Sequence, residues 1–100
     1  MPQEGLNIKE KTISEINEPG KYYVVFHNDD FTPMDFVTLL LMHIFFKSES
    51  EAETLMLKVH HEGQAIIGCY TYDIAVTKAT LATQLARKNG FPLRITVNMA

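Results

Sequence analysis

The sequence predicts an α+β domain: a two-layer sandwich with three helices on one face of a three-stranded antiparallel sheet, in the order β-α-α-β-α-β. Three observations point to it. Runs rich in β-branched and aromatic residues, Tyr22 to Phe26 and Ala65 to Tyr70, and an alternating run from Leu93 to Met99 read as strands. Apolar residues recur at helical spacing between them, twice in the first gap and once in the second. Turn residues mark the junctions: Asn28-Asp29-Asp30, Gly63 and Asn89-Gly90. The 100 residues suit a single core.

Residues 1–20 are polar, carry Glu4, Lys9, Glu10, Lys11, Glu15 and Glu18, and close on Pro19-Gly20, so a flexible arm is expected there. The folded domain is expected over 21–100. In the first strand, Tyr22-Tyr23-Val24-Val25-Phe26 has few polar breaks and suits burial on at least one face. Asn28-Asp29-Asp30 stops it, because these side chains bond their own backbone and favour turns. Thr32 is expected to cap the first helix, with Pro33 at its first position and Asp35 near the positive dipole end. The helix should reach about Phe46, and it is apolar around most of its circumference.

A break at Lys47-Ser48-Glu49-Ser50-Glu51 offers a new cap. The second helix then carries Ala52, Leu55, Met56 and Val59 at i, i+3, i+4 and i+7. His60 and His61 fall in its last turn, and Gly63 suits its left-handed end. Thr71 is expected to cap the third helix, with an inner stripe of Ile74, the Lys78 stem, Leu81 and Leu85. Ala75, Ala79, Ala82 and Ala86 permit close packing along its flank. Asn89-Gly90 and Pro92 end it. Leu93, Ile95, Val97 and Met99 then alternate with Arg94, Thr96 and Asn98 as a half-buried strand.

Composition narrows the function. The net charge is −3, and Arg87, Lys88 and Arg94 are too few to neutralise a phosphate backbone, so nucleic acid is not expected as a partner. The N-terminal segment lacks the basic start and apolar run of a signal peptide. The apolar stretch Phe36 to Phe46 is about half the length a bilayer span requires. With one cysteine, Cys69, no internal disulfide can form; a cytoplasmic protein with no membrane partner is expected. Nothing in the sequence demands more than a monomer.

No phosphate-cradling glycine loop and no zinc-ligand spacing is present, and no cofactor is expected. His27, His60 and His61 are the candidate metal ligands, but adjacent helical residues point about 100° apart and suit one ion poorly. Cys69, in an apolar strand, reads as buried packing rather than a nucleophile. Asp29, Asp30 and Asp35 could act as paired carboxylates in a small hydrolase, but a turn with a helix cap accounts for them more simply. A third possibility is recognition of a cation: Asn28, Asp29 and His60 offer acceptors for an ammonium. Beside them, Met34, Val37, Met56 and Val59 would serve either as plain core or as an adaptable apolar wall.

The string Asn28-Asp29-Asp30-Phe31-Thr32-Pro33-Met34-Asp35-Phe36-Val37, followed by Leu55-Met56-Leu57-Lys58-Val59-His60 and Gly63, resembles the ClpS adaptors of the N-end rule degradation pathway. Thr77-Lys78 and Pro92-Leu93 also match, and the likeness covers about 21–100. The resemblance implies a non-enzymatic adaptor. It would bind proteins with a free N-terminal Leu, Phe, Tyr or Trp and hand them to the ClpAP unfoldase–protease. It implies that Asn28, Asp29 and His60 bind the α-amino group. Asp30, Thr32, Met34, Val37, Met56, Val59 and Leu93 would line the side-chain pocket, with Met34 excluding β-branched residues. Asp73, Thr77 and Lys78 would dock on the N-terminal domain of the ClpA unfoldase, and the arm would engage the unfoldase during hand-over. The alternative is an interaction domain of the same shape that docks a partner helix and ignores amino termini.

Overall fold

The computed structural model describes residues 21–100; the arm expected over 1–20 lies outside them. Six elements follow one another: β1 Tyr22–His27, α1 Met34–His43, α2 Glu49–Glu62, β2 Gln64–Tyr70, α3 Tyr72–Lys88 and β3 Arg94–Met99. The sheet is antiparallel with the order β2-β1-β3, so the first strand is the central one. This is the α+β class the sequence predicts. Val24 and Phe26 of β1 join Val37, Leu40 and Leu41 of α1, Ala52 and Val59 of α2 and the alanines of α3 in one core. Phe26 meets Phe45 edge to face, with ring centroids 5.5 Å apart.

The sheet departs from simple alternation at one place. Val24 pairs with Gly68 and Val25 with Ile66, so Ile67 has no partner and forms a bulge. The bulge shifts the phase of β2, bringing Ala65 and Ile67 into the core and packing Tyr70 against it. Cys69 is thereby turned to the other face, beside Tyr23, and is exposed. The expectation that Cys69 is buried packing is therefore corrected. Tyr70 folds back over Gly68, where a Cβ would lie 2.5 Å from its hydroxyl oxygen. Burial raises the Tyr70 phenol above its ordinary value.

Three helix details differ from expectation. Pro33, not Thr32, is the N-cap of α1; it is extended (φ −65°, ψ 144°) and its hydrocarbon ring makes no cap bond, while Thr32 is engaged in the preceding turn. The helix ends at His43 rather than Phe46, and Phe46 takes a positive φ of 55° as the chain turns toward α2. In α3, Ala75, Ala79, Ala82 and Ala86 form the buried stripe, while Ile74 and Leu81 are about half exposed (47 % and 51 %). Small side chains let the helix axis approach the sheet, and the larger ones are left outside. Thr71 stands at the N-cap of α3 without a side-chain bond. The α2 cap follows the sequence logic in full: Ser48 and Glu51 form a reciprocal capping box, and Gly63 ends the helix at φ 90°.

Candidate functional site

The turn after β1 is built by its own side chains. At the strand end, His27 Nε2 lies 2.8 Å from Thr96 Oγ1, joining β1 to β3. Burial, reinforced by the Arg94 charge, lowers the His27 imidazole and favours its neutral form. The next residue, Asn28, donates its backbone N–H to Gly63 O at 2.8 Å. That bond sets the end of α2, and with it His60, beside the end of β1. Asp29 then organises the turn. Its Oδ1 accepts from the N–H groups of Phe31 (2.8 Å) and Thr32 (2.7 Å), and its Oδ2 accepts from the Thr32 hydroxyl (2.8 Å). Burial alone would raise this carboxyl. The Thr32 and Phe31 hydrogen bonds, helped by the Arg87 charge, outweigh it and hold Asp29 below the usual carboxylate range.

A cavity of about 350 Å³ opens against this turn. Its lining includes Asn28, Asp29, Asp30, Thr32, Met34, Val37, Met56, Val59, His60 and Leu93. Those are all ten residues that the sequence singled out for an amine site and an apolar pocket, now brought to one place from four parts of the chain. Phe31 and Pro33 also line it. Sequence reasoning had left them out, although their position between Asp30 and Met34 was the available signal. Val37, Val59 and Leu93 are buried and form the apolar base, whereas Met34 is 43 % and Phe31 77 % exposed. Chemically, the cavity offers an ionised carboxylate, an amide and an imidazole beside an apolar recess. It suits a ligand with a cationic head and a greasy side chain.

Asp73, Thr77 and Lys78 lie elsewhere. With His43, Ile44, Phe46, Ile74 and Leu81 they line a second, more open cavity of about 380 Å³ between the end of α1 and the first half of α3. Lys78 is committed there: its Nζ donates to Ile44 O at 2.8 Å and stands 4.6 Å from the centre of the Phe46 ring, with Phe45 and Tyr70 at 5.8 and 5.7 Å. Among the described residues no group of three His, Cys, Asp or Glu side chains is placed to hold a metal ion. None of their helices is long and apolar enough to cross a membrane.

Residues 17–96 match the family described as ATP-dependent Clp protease adaptor protein ClpS. The chain belongs to the ClpS family. It is 54 % identical over 95 residues to the ClpS of Treponema denticola, covering 95 % of this chain and 90 % of that one. Against the ClpS of Leptothrix cholodnii the identity is 46 % over 98 residues, or 97 % and 84 % of the two chains. Among solved structures, Agrobacterium tumefaciens ClpS2 bound to L-phenylalaninamide superposes with a TM-score of 0.80 at 40 % identity. That match covers 83 % of this chain and all of the other. ClpS relatives are named as adapters of a protease rather than as proteases.

Proposed function

We propose that the chain is a non-enzymatic adaptor that binds proteins through a free N-terminal Leu, Phe, Tyr or Trp and delivers them to the ClpAP unfoldase–protease. The observation that carries the reading is the single cavity in which Asp29, Asn28 and His60 border an apolar recess, in a chain of the ClpS family. The phenylalaninamide held by the Agrobacterium relative has the matching chemistry, a free amine beside an aromatic side chain. In this assignment Asn28, Asp29 and His60 accept from the α-ammonium. Asp30, Thr32, Met34, Val37, Met56, Val59 and Leu93 enclose the first side chain.

The energetics suit a binder that must later let go. Burying a Leu or Phe side chain contributes about 1.5–3 kcal/mol. Each hydrogen bond from the ammonium to a charged or polar acceptor adds roughly 1.5–3 kcal/mol. Association entropy offsets much of this sum, which places the affinity in the micromolar range or weaker. An acetylated terminus loses the charge and leaves Asp29 desolvated against an amide, which supplies the selectivity.

The second cavity is assigned to docking on the N-terminal domain of the ClpA unfoldase, with Asp73 and Thr77 at its polar edge. Phe46, Ile74 and Leu81 are its exposed apolar members. With the Lys78 ammonium donating to Ile44 O and lying over the Phe46 ring, shape and apolar burial are assigned a larger share of this contact than the lysine charge. The arm, residues 1–20, is assigned to hand-over, and the protein to the cytoplasm as a monomer. The deciding experiment is fluorescence anisotropy with a labelled peptide beginning Leu, its acetylated form, and the same peptide beginning Ile. Binding of the free Leu terminus alone is expected. Equal binding of all three would favour a partner-docking domain that ignores amino termini.

A further inference from the structure

One residue of the cavity's apolar base, Leu93, does not sit on a regular element. Leu93, 1 % exposed, precedes β3 at the end of an irregular segment that begins where α3 closes. In that segment Gly90 takes a φ of 80°, and Phe91 N–H returns to Ala86 O at 2.9 Å. Beyond it, two carbonyls share one donor: Arg87 Nη1 donates to Phe91 O at 2.9 Å and to Leu93 O at 2.8 Å. Arg87 is on the last turn of α3, outside the cavity lining. Its charge nevertheless acts on Asp29, which lines the cavity, and helps hold that carboxyl below its ordinary value. The ring of Phe91 is held separately, edge to face against Phe36 of α1 at 4.8 Å. The ring of Phe91 is thus fixed by packing and its N–H by the end of α3, while the Phe91 and Leu93 carbonyls are held by one guanidinium.

We propose that Arg87 is a positioning residue of the ligand cavity: by holding the Phe91 and Leu93 carbonyls together it sets the height of Leu93 and so the size of first side chain the cavity accepts. The inference rests on the reading that this cavity takes an N-terminal residue. A charge-assisted donor shared by two carbonyls is stronger than a neutral one and directional. Lysine keeps the charge but places it on a flexible stem, so it restores the attraction without the fixed geometry.

The test compares the native chain with Arg87→Met and Arg87→Lys, using peptides beginning Leu and Phe and the methyl resonances of Leu93. Arg87→Met should change the Phe-to-Leu affinity ratio by about tenfold, the lower end of what a one-methylene misfit changes in a hydrophobic pocket. It should also shift the Leu93 methyls in the absence of peptide, and Arg87→Lys should fall between the two. A native ratio and native Leu93 resonances in a folded Arg87→Met variant would overturn the proposal, as would a lowered melting temperature with the ratio intact. If Arg87→Met does not fold, the same measurements on Arg87→Lys decide. Failure of the native chain itself to bind either peptide would overturn the functional reading, an outcome distinct from binding with an unaltered ratio.

Discussion

Asp29 carries two duties at once, holding the turn and presenting a charge. Three protein donors already occupy its oxygens, so its orientation is fixed before any ligand arrives. Asp29→Asn keeps an acceptor for the Phe31 and Thr32 N–H groups but removes the charge. Peptide affinity should therefore fall about ten- to a hundredfold, measured by anisotropy, while the fold persists. The pH dependence has a definite sign. A carboxyl whose folded value lies below its unfolded value contributes stability that is present above the unfolded value and lost as pH falls through the folded one. An NMR titration should place Asp29 below its reference of about 3.9, and the stability difference from Asp29→Asn should close as pH drops through that point. On the alkaline side, affinity should decline above about pH 8 as the peptide's own amine loses its proton. Met34, partly exposed at the cavity, gives a separate prediction: Met34→Ala should admit peptides beginning Ile or Val. An unchanged preference would reduce Met34 to ordinary packing. The turn was legible in the sequence because Asn and Asp bond locally. Arg87 was not, because its partners are backbone carbonyls that leave no trace in residue type.

At the scale of elements, α2 is the part best specified by local chemistry, and it brings His60 to the site. Its first turn is held by the Ser48–Glu51 box and its last by Gly63, whose carbonyl also accepts the Asn28 N–H. A Cβ at Gly63 would meet nothing within 4 Å, so Gly63→Ala tests backbone conformation without a clash. It should cost about 1–2 kcal/mol of stability in chemical denaturation, the penalty of a side chain at left-handed φ. A loss near zero would mean that the helix end adjusts freely. The elements also show where reading by pattern stops. In α3 the alanine stripe and the Ile74–Leu81 stripe share the helical period, and hydropathy favours the bulkier one. What decides is the close approach of helix to sheet, a tertiary quantity. The bulge at Ile67 is equally silent, and it inverted the expectation for Cys69. Thr32 invited a cap assignment because its hydroxyl suits one, but the adjacent carboxylate competes successfully for it.

In the whole molecule, α1 and α3 connect the two cavities in opposite senses. The first starts at the ligand cavity with Met34 and ends at the outer one with His43; the second has Asp73 at the outer cavity in its first turn and Arg87, bonded to the Leu93 carbonyl, in its last. A ten-residue helix is about 15 Å long, so the surfaces are separated by a rigid spacer and need not compete. On the docking assignment proposed for the outer cavity, Leu81→Asp should abolish binding to the ClpA N-terminal domain while leaving peptide affinity within about twofold, since its side chain is exposed and outside the ligand cavity. Loss of both activities would show that the two surfaces are not independent. The overall architecture was legible because six strong periodic segments and their turn residues agree with one another. The residues themselves suggested joining the turn to α1 and α2; the place of Leu93 in the cavity became visible only through the resemblance.

The position of β1 between two partners gives the domain a mechanical direction. It is paired over six residues on each side, and its Tyr22 end lies beside Met99 of β3. A pull on Lys21 resisted at the ligand cavity runs along the strand and must shear both ladders together. The same pull resisted at Ala100 opens the β1–β3 ladder one bond after another, like a zip. Held by its cargo, the domain is braced; drawn apart by its own ends, it yields.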